Sequence, residues 1–422
     1  MRARWCAALL VAAAAFSPLH AEEGATGAQR FLVIGDPQPK STADVDYFLR
    51  DIIEPAMPLA KQSAAAIVLG DIVDDEPALY PGVKAATKRL GIPMLFAPGN
   101  HDVDAGAQSD ADSLRSFRKA FGDDTFLRKY DNANVLVLDD VVVLPGQTPG
   151  YVGGLREDQF AKIQRWLKDL PRDKLLVVGA HIPFFDTSTV QGKESFRAVD
   201  RERLFALLQP FPHVLLLSAH THNQRHYFHG EKESWKGAAP LHEYNVGAAC
   251  GAFWSGVADA AGIPDATMSD GTPNGYATLD VQRDGTYALA WYPARDAAGT
   301  QIALHAPKVL RRDAYPAFGV YANVFMGHAG TRVEYRIDDG DWMPMRRVVE
   351  PDPRLLAENA RDDAADTLRG FDRSPEATPS THLWRGTLPT KLAAGEHTVE
   401  VRAFDEWRGE ATAKTTYRLE AR

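Results

Sequence analysis

Five times before residue 223 of this 422-residue chain, a short apolar run stops at a small residue and then meets Asp, Asn or His. Phe31-Leu32-Val33-Ile34 ends in Gly35-Asp36-Pro37-Gln38, and Ile67-Val68-Leu69 ends in Gly70-Asp71-Ile72-Val73-Asp74. Met94-Leu95-Phe96 leads into Pro98-Gly99-Asn100-His101-Asp102. Leu175-Leu176-Val177-Val178 ends in Gly179-Ala180-His181, and Val214-Leu215-Leu216-Leu217 in Ser218-Ala219-His220-Thr221-His222. Runs of this kind read as strands. In open α/β sheets ligands gather at the carboxyl ends of strands. The pattern therefore brings polar side chains from distant parts of the chain to one edge.

The intervals between the strands are helical. Ser41 opens a helix with Asp44 as its capping partner, and Val45, Phe48, Leu49, Ile52 and Ile53 recur at helical spacing. Glu157 to Leu167 is a second helical stretch. Alternating strands and helices predict a sheet with helices on its faces. After about residue 225 the helices stop. Tyr227-Phe228, Tyr244 to Val246, Tyr276 to Val281 and Tyr287 to Trp291 read as strands that form a second sheet and complete an α/β sandwich. A Gly- and Pro-rich loop from Trp254 to Gly275 lies among them.

From 299 to 422 the chain reads as all-β. Strands are expected at Thr331 to Ile337, Trp342 to Arg346, Thr381 to Gly386, His397 to Phe404 and Lys414 to Leu419. The acidic stretch from Val349 to Pro379 is an excursion between them.

The N-terminus carries Arg2 and Arg4, an apolar run from Cys6 to Phe16, and Leu19-His20-Ala21 as a cleavage site, which reads as a secretory signal over 1–21. A short leader, 22–29, follows. Loss of the signal leaves Cys250 alone among small residues, a packing cysteine with no disulfide partner. A periplasmic or secreted location is expected, with no membrane span. The formal net charge of −9 argues against a nucleic-acid partner.

Taken singly, a strand-end Asp or a Gly-Asn-His is most often a turn. As an ordered set the five clusters point to metal chemistry, because Asp, Asn, Gln and His are the ligand types that hold divalent ions. The series Asp36-Pro37-Gln38, Gly70-Asp71-Ile72-Val73-Asp74, Gly99-Asn100-His101-Asp102, His181 and His220-Thr221-His222 resembles the calcineurin-like metallophosphoesterases. The likeness spans about 30 to 295. Val333 to Trp342, Gly395 to Arg402 and the Asp270 to Tyr276 loop resemble a bacterial branch of that family with an attached C-terminal β domain. The resemblance implies a four-layer α/β/β/α sandwich over 30–298 and a smaller all-β sandwich-like domain over 299–422.

The resemblance also implies two divalent metal ions. Asp36, Gln38, Asp71 and His222 would hold the first, and Asp71, Asn100, His181 and His220 the second, with Asp71 bridging. His101 would be the general acid, Asp74 would orient it, and Asn100 would also touch a phosphoryl oxygen. Many members have His where this chain has Gln38. An amide oxygen is a harder donor than imidazole, which tilts the expectation toward manganese, with iron, zinc or magnesium as the other choices. The activity so implied is hydrolysis of a small phosphomonoester or phosphodiester by a metal-activated water. The sequence carries no Gly-x-Ser-x-Gly elbow for a serine nucleophile. The rival reading is a secreted binding protein whose first domain is an idle scaffold. Nothing in the sequence fixes an oligomeric state.

Overall fold

Side chains alternate across a strand, so a sheet that is apolar on both faces needs cover on both. The computed structural model, which describes residues 27–421 apart from 149, 190, 191 and 298, meets this need with two stacked sheets between helices. The signal read at 1–21 lies outside the described residues.

The first sheet runs, in spatial order, Tyr287–Pro293, Gly275–Val281, Gln29–Ile34, Ser63–Leu69 and Met94–Ala97. The second runs Arg225–His229, Leu241–Asn245, Val214–Ser218, Leu175–Gly179, Ala133–Val137 and Phe126–Lys129. Val135, Val137, Leu175, Val177, Leu215 and Leu217 point from the second sheet into the core shared with the first. Their alternates Leu136, Leu176, Val178 and Leu216 pack with Phe160, Ile163, Leu204 and Phe205 of the helices Glu157–Lys168 and Ala198–Leu208. Helices Glu54–Ala60 and Tyr80–Lys88 contribute Ala56 and Val83 to the core of the first sheet. The layers are therefore helix, sheet, sheet, helix, in a mixed α/β fold. Each fully buried Leu or Val stabilises this arrangement by about 1.5–3 kcal/mol.

Three strands of the first sheet are parallel, with Phe31 opposite Ala65 and Ile67 opposite Leu95. So are four of the second, with Val135 opposite Val177, Val177 opposite Leu215, and Leu217 opposite Tyr244. Their carboxyl ends consequently meet at one edge. An isolated bridge from Gly35 to Ala248 ties the two sheets together there.

The late strands do not form a second sheet of their own. Gly275–Val281 and Tyr287–Pro293 extend the first sheet, while Arg225–His229 and Leu241–Asn245 extend the second. Leu241–Asn245 completes the parallel core of the second sheet, and the antiparallel strands Arg225–His229, Gly275–Val281 and Tyr287–Pro293 close the flanks.

Beyond residue 300 two further sheets pack on a core that includes Trp384, Val401 and Tyr417. The excursion after Val349 holds a helix, Pro353–Asp363, which the sequence reading left unassigned. Asp352 caps it by accepting from Arg354 N at 2.7 Å, and Pro353 suits its first turn. Ala303, Phe325, Met326 and Trp407 pack against the core of the stacked sheets. Among the described residues no helix is long and apolar enough to cross a membrane.

Candidate metal centre

The strand ends reverse sharply. Asp36, Gln38, Asp71, His220 and His222 all have left-handed backbone, with φ of 41°, 42°, 47°, 68° and 50°. L-residues adopt this region at a cost of about 1–3 kcal/mol each, and such residues concentrate at functional sites. His220 and His222 lie beyond the strand Val214–Ser218, so the face-sharing expected of a regular strand does not apply. Two left-handed residues turn both rings into the same cluster instead.

Four ligand atoms converge at the centre. His181 Nε2 lies 3.0 Å from Asn100 Oδ1, 3.2 Å from His220 Nδ1 and 3.3 Å from Asp71 Oδ2. His181 Nδ1 donates to the Leu69 carbonyl at 2.8 Å, which fixes the ring and leaves Nε2 facing inward. Burial works against a charge on His181, but Asp71, Asp36 and Asp140 outweigh it and push its pKa up to about 10. Burial and the neighbouring His181 pull His220 down to about 3. Asp71 is buried, yet the positive His181 holds its carboxylate below the ordinary range. One proton on His181 Nε2 thus sits among three acceptors, where a cation would sit.

Asp36 and His222 form the other half. Asp71, Asp36 and His222 offer ligand atoms within 4.8 Å of one another, as do Asp71, His181 and His220, so Asp71 is common to both groups. His222 Nδ1 donates to the Gly251 carbonyl at 2.7 Å, leaving Nε2 3.9 Å from Asp36 Oδ1. Asp36 is fully buried, its Oδ1 accepts from His220 N at 3.1 Å, and its Oδ2 has no protein partner. Burial pushes its carboxyl up to about 6. A buried acceptor without a donor calls for a partner, and a divalent ion fits this donor set.

Gln38 is buried beside them. Its Nε2 donates to Asp74 Oδ1 at 2.8 Å, which leaves only Oε1 to face other groups, and Oε1 lies 3.7 Å from Cys250 Sγ. Asp74 gathers further partners: Lys40 Nζ is 3.1 Å from its Oδ2, and His101 Nδ1 is 3.3 Å from its Oδ1. Asp75 Oδ1 is 3.1 Å from the same His101 nitrogen. Both carboxylates flank Nδ1, which is buried and makes no hydrogen bond, and Nε2 is turned away from them. His101 N donates to Asp71 Oδ1 at 2.8 Å, so the acid and the shared carboxylate are held at a fixed relation.

Two buried carboxyls outside the predicted set fasten this arrangement. Asp102 accepts from Gly99 N at 2.8 Å and Ile72 N at 3.1 Å, which clips the Asp71 turn to the Asn100-His101 loop. Asp140 accepts from the backbone N–H of His181 and of Ile182, both at 3.0 Å. Burial pushes both carboxyls up to about 7. Asp140 follows the strand Ala133–Val137 and is itself a strand-end acid, but the run passes from Leu138 straight to Asp139 without the small residue that marked the other five.

Gly99 shows how tightly the loops approach. A Cβ there would lie 2.2 Å from both Asp71 N and Asp71 Oδ1. Neither backbone nor ligand can yield that distance. Gly99→Ala is expected to cost about 3 kcal/mol of stability, and metal content with it. Urea unfolding beside elemental analysis checks this; an unchanged midpoint and metal content would contradict it.

Other polar and aromatic residues near the motifs lie elsewhere. Arg225 stacks on Phe185 and Tyr227, and His226 is half-buried against His242. Trp254 and Tyr276 are core residues. Cys250 is buried below Gln38 and His222, and burial raises its thiol well above the usual range.

The family description "Calcineurin-like phosphoesterase" matches residues 29–224, and "C terminal of Calcineurin-like phosphoesterase" matches residues 243–410. No curated protein matches the chain. Among solved structures, a purple acid phosphatase isolated from yellow lupin (Lupinus luteus) seeds is 15% identical with a TM-score of 0.45, and covers 64% of this chain. The match spans 52%, about half, of the lupin protein. A phosphopantetheinyl hydrolase from Mycobacterium tuberculosis is 12% identical with a TM-score of 0.34, over 53% of this chain and 90% of that one.

Proposed function

The chain belongs to the calcineurin-like phosphoesterase family, and from that premise we propose that it hydrolyses small phosphomonoesters or phosphodiesters at a two-metal site. The observation that supports this best is the convergence of Asn100, His220 and Asp71 on His181 Nε2, beside the unpartnered oxygen of Asp36.

Asp36, Gln38, Asp71 and His222 would hold the first ion, and Asp71, Asn100, His181 and His220 the second. Divalent ions bound there supply Lewis acidity toward a phosphoryl oxygen and an activated water at neutral pH. The chain's own residues do the rest. Asn100 has an amide nitrogen to offer a phosphoryl oxygen while its carbonyl faces His181. His101 would carry the proton for the leaving oxygen on Nε2, the ring atom turned away from Asp74 and Asp75. Gln38 ties Asp74 to the first metal group through its amide nitrogen. With that nitrogen engaged, only the hard Oε1 remains as a ligand, which favours manganese or magnesium. Export through the N-terminal signal, to the periplasm or the medium, is part of the same proposal.

The test uses chain stripped with chelator and reloaded with manganese, iron, zinc or magnesium in turn. Hydrolysis of p-nitrophenyl phosphate and bis-p-nitrophenyl phosphate is followed, and the preferred ester selects between monoester and diester. Turnover that requires metal supports the proposal. A folded, metal-bound chain inert toward both esters speaks for the idle scaffold.

Metal uptake is also expected to release protons. His181, pushed up to about 10, is protonated in the metal-free site and must be neutral to ligate. Apparent metal affinity should therefore rise with pH across the neutral range, about tenfold per unit for one displaced proton. Calorimetry at pH 8 in buffers of differing ionisation enthalpy measures this, with about one proton released per chain expected. No proton release would show that His181 is not a ligand.

A further inference from the structure

The rim of the metal centre carries a feature that the hydrolytic machinery does not use. Phe253 is 48% exposed and has left-handed backbone, with φ of 58°. Its neighbour Trp254 is left-handed too, with φ of 52°. For bulky residues this conformation is an outlier, and it persists only where the surroundings enforce it.

The enforcement is visible. Trp254 is buried, its Nε1 donates to the Pro37 carbonyl at 3.0 Å, and its backbone N donates to Cys250 O at 2.8 Å. The loop is braced from the C-terminal excursion, where Gly256 N reaches Asp372 O and Ala258 N reaches Arg369 O, both at 3.3 Å. Gly370 packs so closely that a Cβ would lie 2.1 Å from the Gly256 carbonyl. Trp254 is the anchor and Phe253 is what the anchor displays.

A single exposed aromatic is ordinary. This one lies against the centre. Its ring is 4.5 Å, centre to centre, from the His222 ring, and Lys40 Nζ lies 5.1 Å from its centroid. Lys40 also reaches Asp74 Oδ2 at 3.1 Å, while His101 faces the other oxygen of that carboxylate. Asp74 thus has the proton donor on one side and Lys40 with Phe253 on the other. An aromatic ring carried by an ester bound at the metal centre would meet Phe253 beside His222. Lys40 is held by exposed contacts on a flexible stem, so an incoming anion can draw it away from the ring.

We propose that Phe253, with Lys40 beside it, is a ring-binding subsite at the rim of the metal centre, and that the substrate is a phosphoester that carries a planar aromatic ring. That the ring-bearing ligand is a substrate rests on the phosphoesterase reading; the affinity for a ring does not. Stacking of a ring on an aromatic side chain is typically worth roughly five- to 150-fold in affinity.

The test measures binding of phenyl phosphate, adenosine monophosphate and ethyl phosphate by calorimetry, with excess manganese, to the parent chain and to Phe253→Ala and Phe253→Trp. Metal content is measured for each. One or both ring-bearing ligands should bind the parent roughly five- to 150-fold more tightly than ethyl phosphate. The ratio should fall to about one in Phe253→Ala and survive in Phe253→Trp. Whichever ring-bearing ligand binds more tightly identifies a simple aryl or a nucleoside ester. A ratio of one in the parent overturns the proposal. So does an equal loss on all three ligands with loss of metal, which would make Phe253 a prop for His222. Turnover without ring preference removes this inference alone, whereas ring preference without turnover removes the phosphoesterase reading and leaves the subsite.

Discussion

Asp71→Asn is expected to lower turnover to below about one-thousandth of the parent value, with at least one metal ion lost per chain. Asp71 is the carboxylate common to both ligand groups, and its other contact is the backbone of His101. An amide of the same shape keeps the packing but offers one neutral oxygen where two charged ones stood. It also removes the negative charge that His181 faces at 3.3 Å. In the metal-free chain this should bring the His181 pKa down from about 10 toward values at which burial keeps it neutral. Elemental analysis and proton titration of the imidazole by NMR measure the two effects. Parent-like turnover with two ions bound would show that Asp71 does not bridge.

The second large effect belongs to His101→Ala. Loss of a positioned general acid typically costs about a hundred- to ten-thousandfold in turnover. His101 Nε2 is the ring atom left free by Asp74 and Asp75, and the side chain is 29% exposed, open to a bound ester. Metal content should stay at the parent level, since His101 is in neither of the two ligand groups built on Asp71. The loss should be greatest for esters with poor leaving groups, which need the proton, and small for p-nitrophenol, which leaves without one. Asp74→Ala should lose less than His101→Ala. The double variant should equal His101→Ala, because Asp74 acts through that ring. Equal losses on good and poor leaving groups would assign His101 another task.

The strand ends were legible because their signal is local. An apolar run, a small residue and a polar residue mark both the strand and its exit, and the parallel arrangement carries every exit to one edge. The cap at Ser41 was legible for the same reason, and Asp44 Oδ2 accepts from Ser41 N at 3.2 Å while Asp44 N reaches Ser41 Oγ at 3.3 Å. Pairing across the sheets was not legible. Which sheet takes Gly275–Val281 depends on contacts with Gln29–Ile34, some 250 residues earlier, and no local pattern encodes that choice. The helix Pro353–Asp363 was hidden by composition, since only Leu355 in it is buried. Its Asp352-Pro353 start was nevertheless a readable signal.

The left-handed turns are a third case. Glycine marks such a turn in a sequence, as Gly70 does with φ of 86°. Asp36, His220, Phe253 and Trp254 adopt it without glycine, because the surrounding structure enforces what the residue alone disfavours. The residues that carry function are therefore those least visible to propensity.

The central claim is a phosphoester hydrolase that needs two ions in one cluster. The most direct measurement titrates manganese into chelator-stripped chain while hydrolysis of bis-p-nitrophenyl phosphate and bound metal are followed together. Activity should appear with the metal and level off at two ions bound per chain. Saturation at one ion, or full binding with no hydrolysis of this ester or its monoester, would contradict the account.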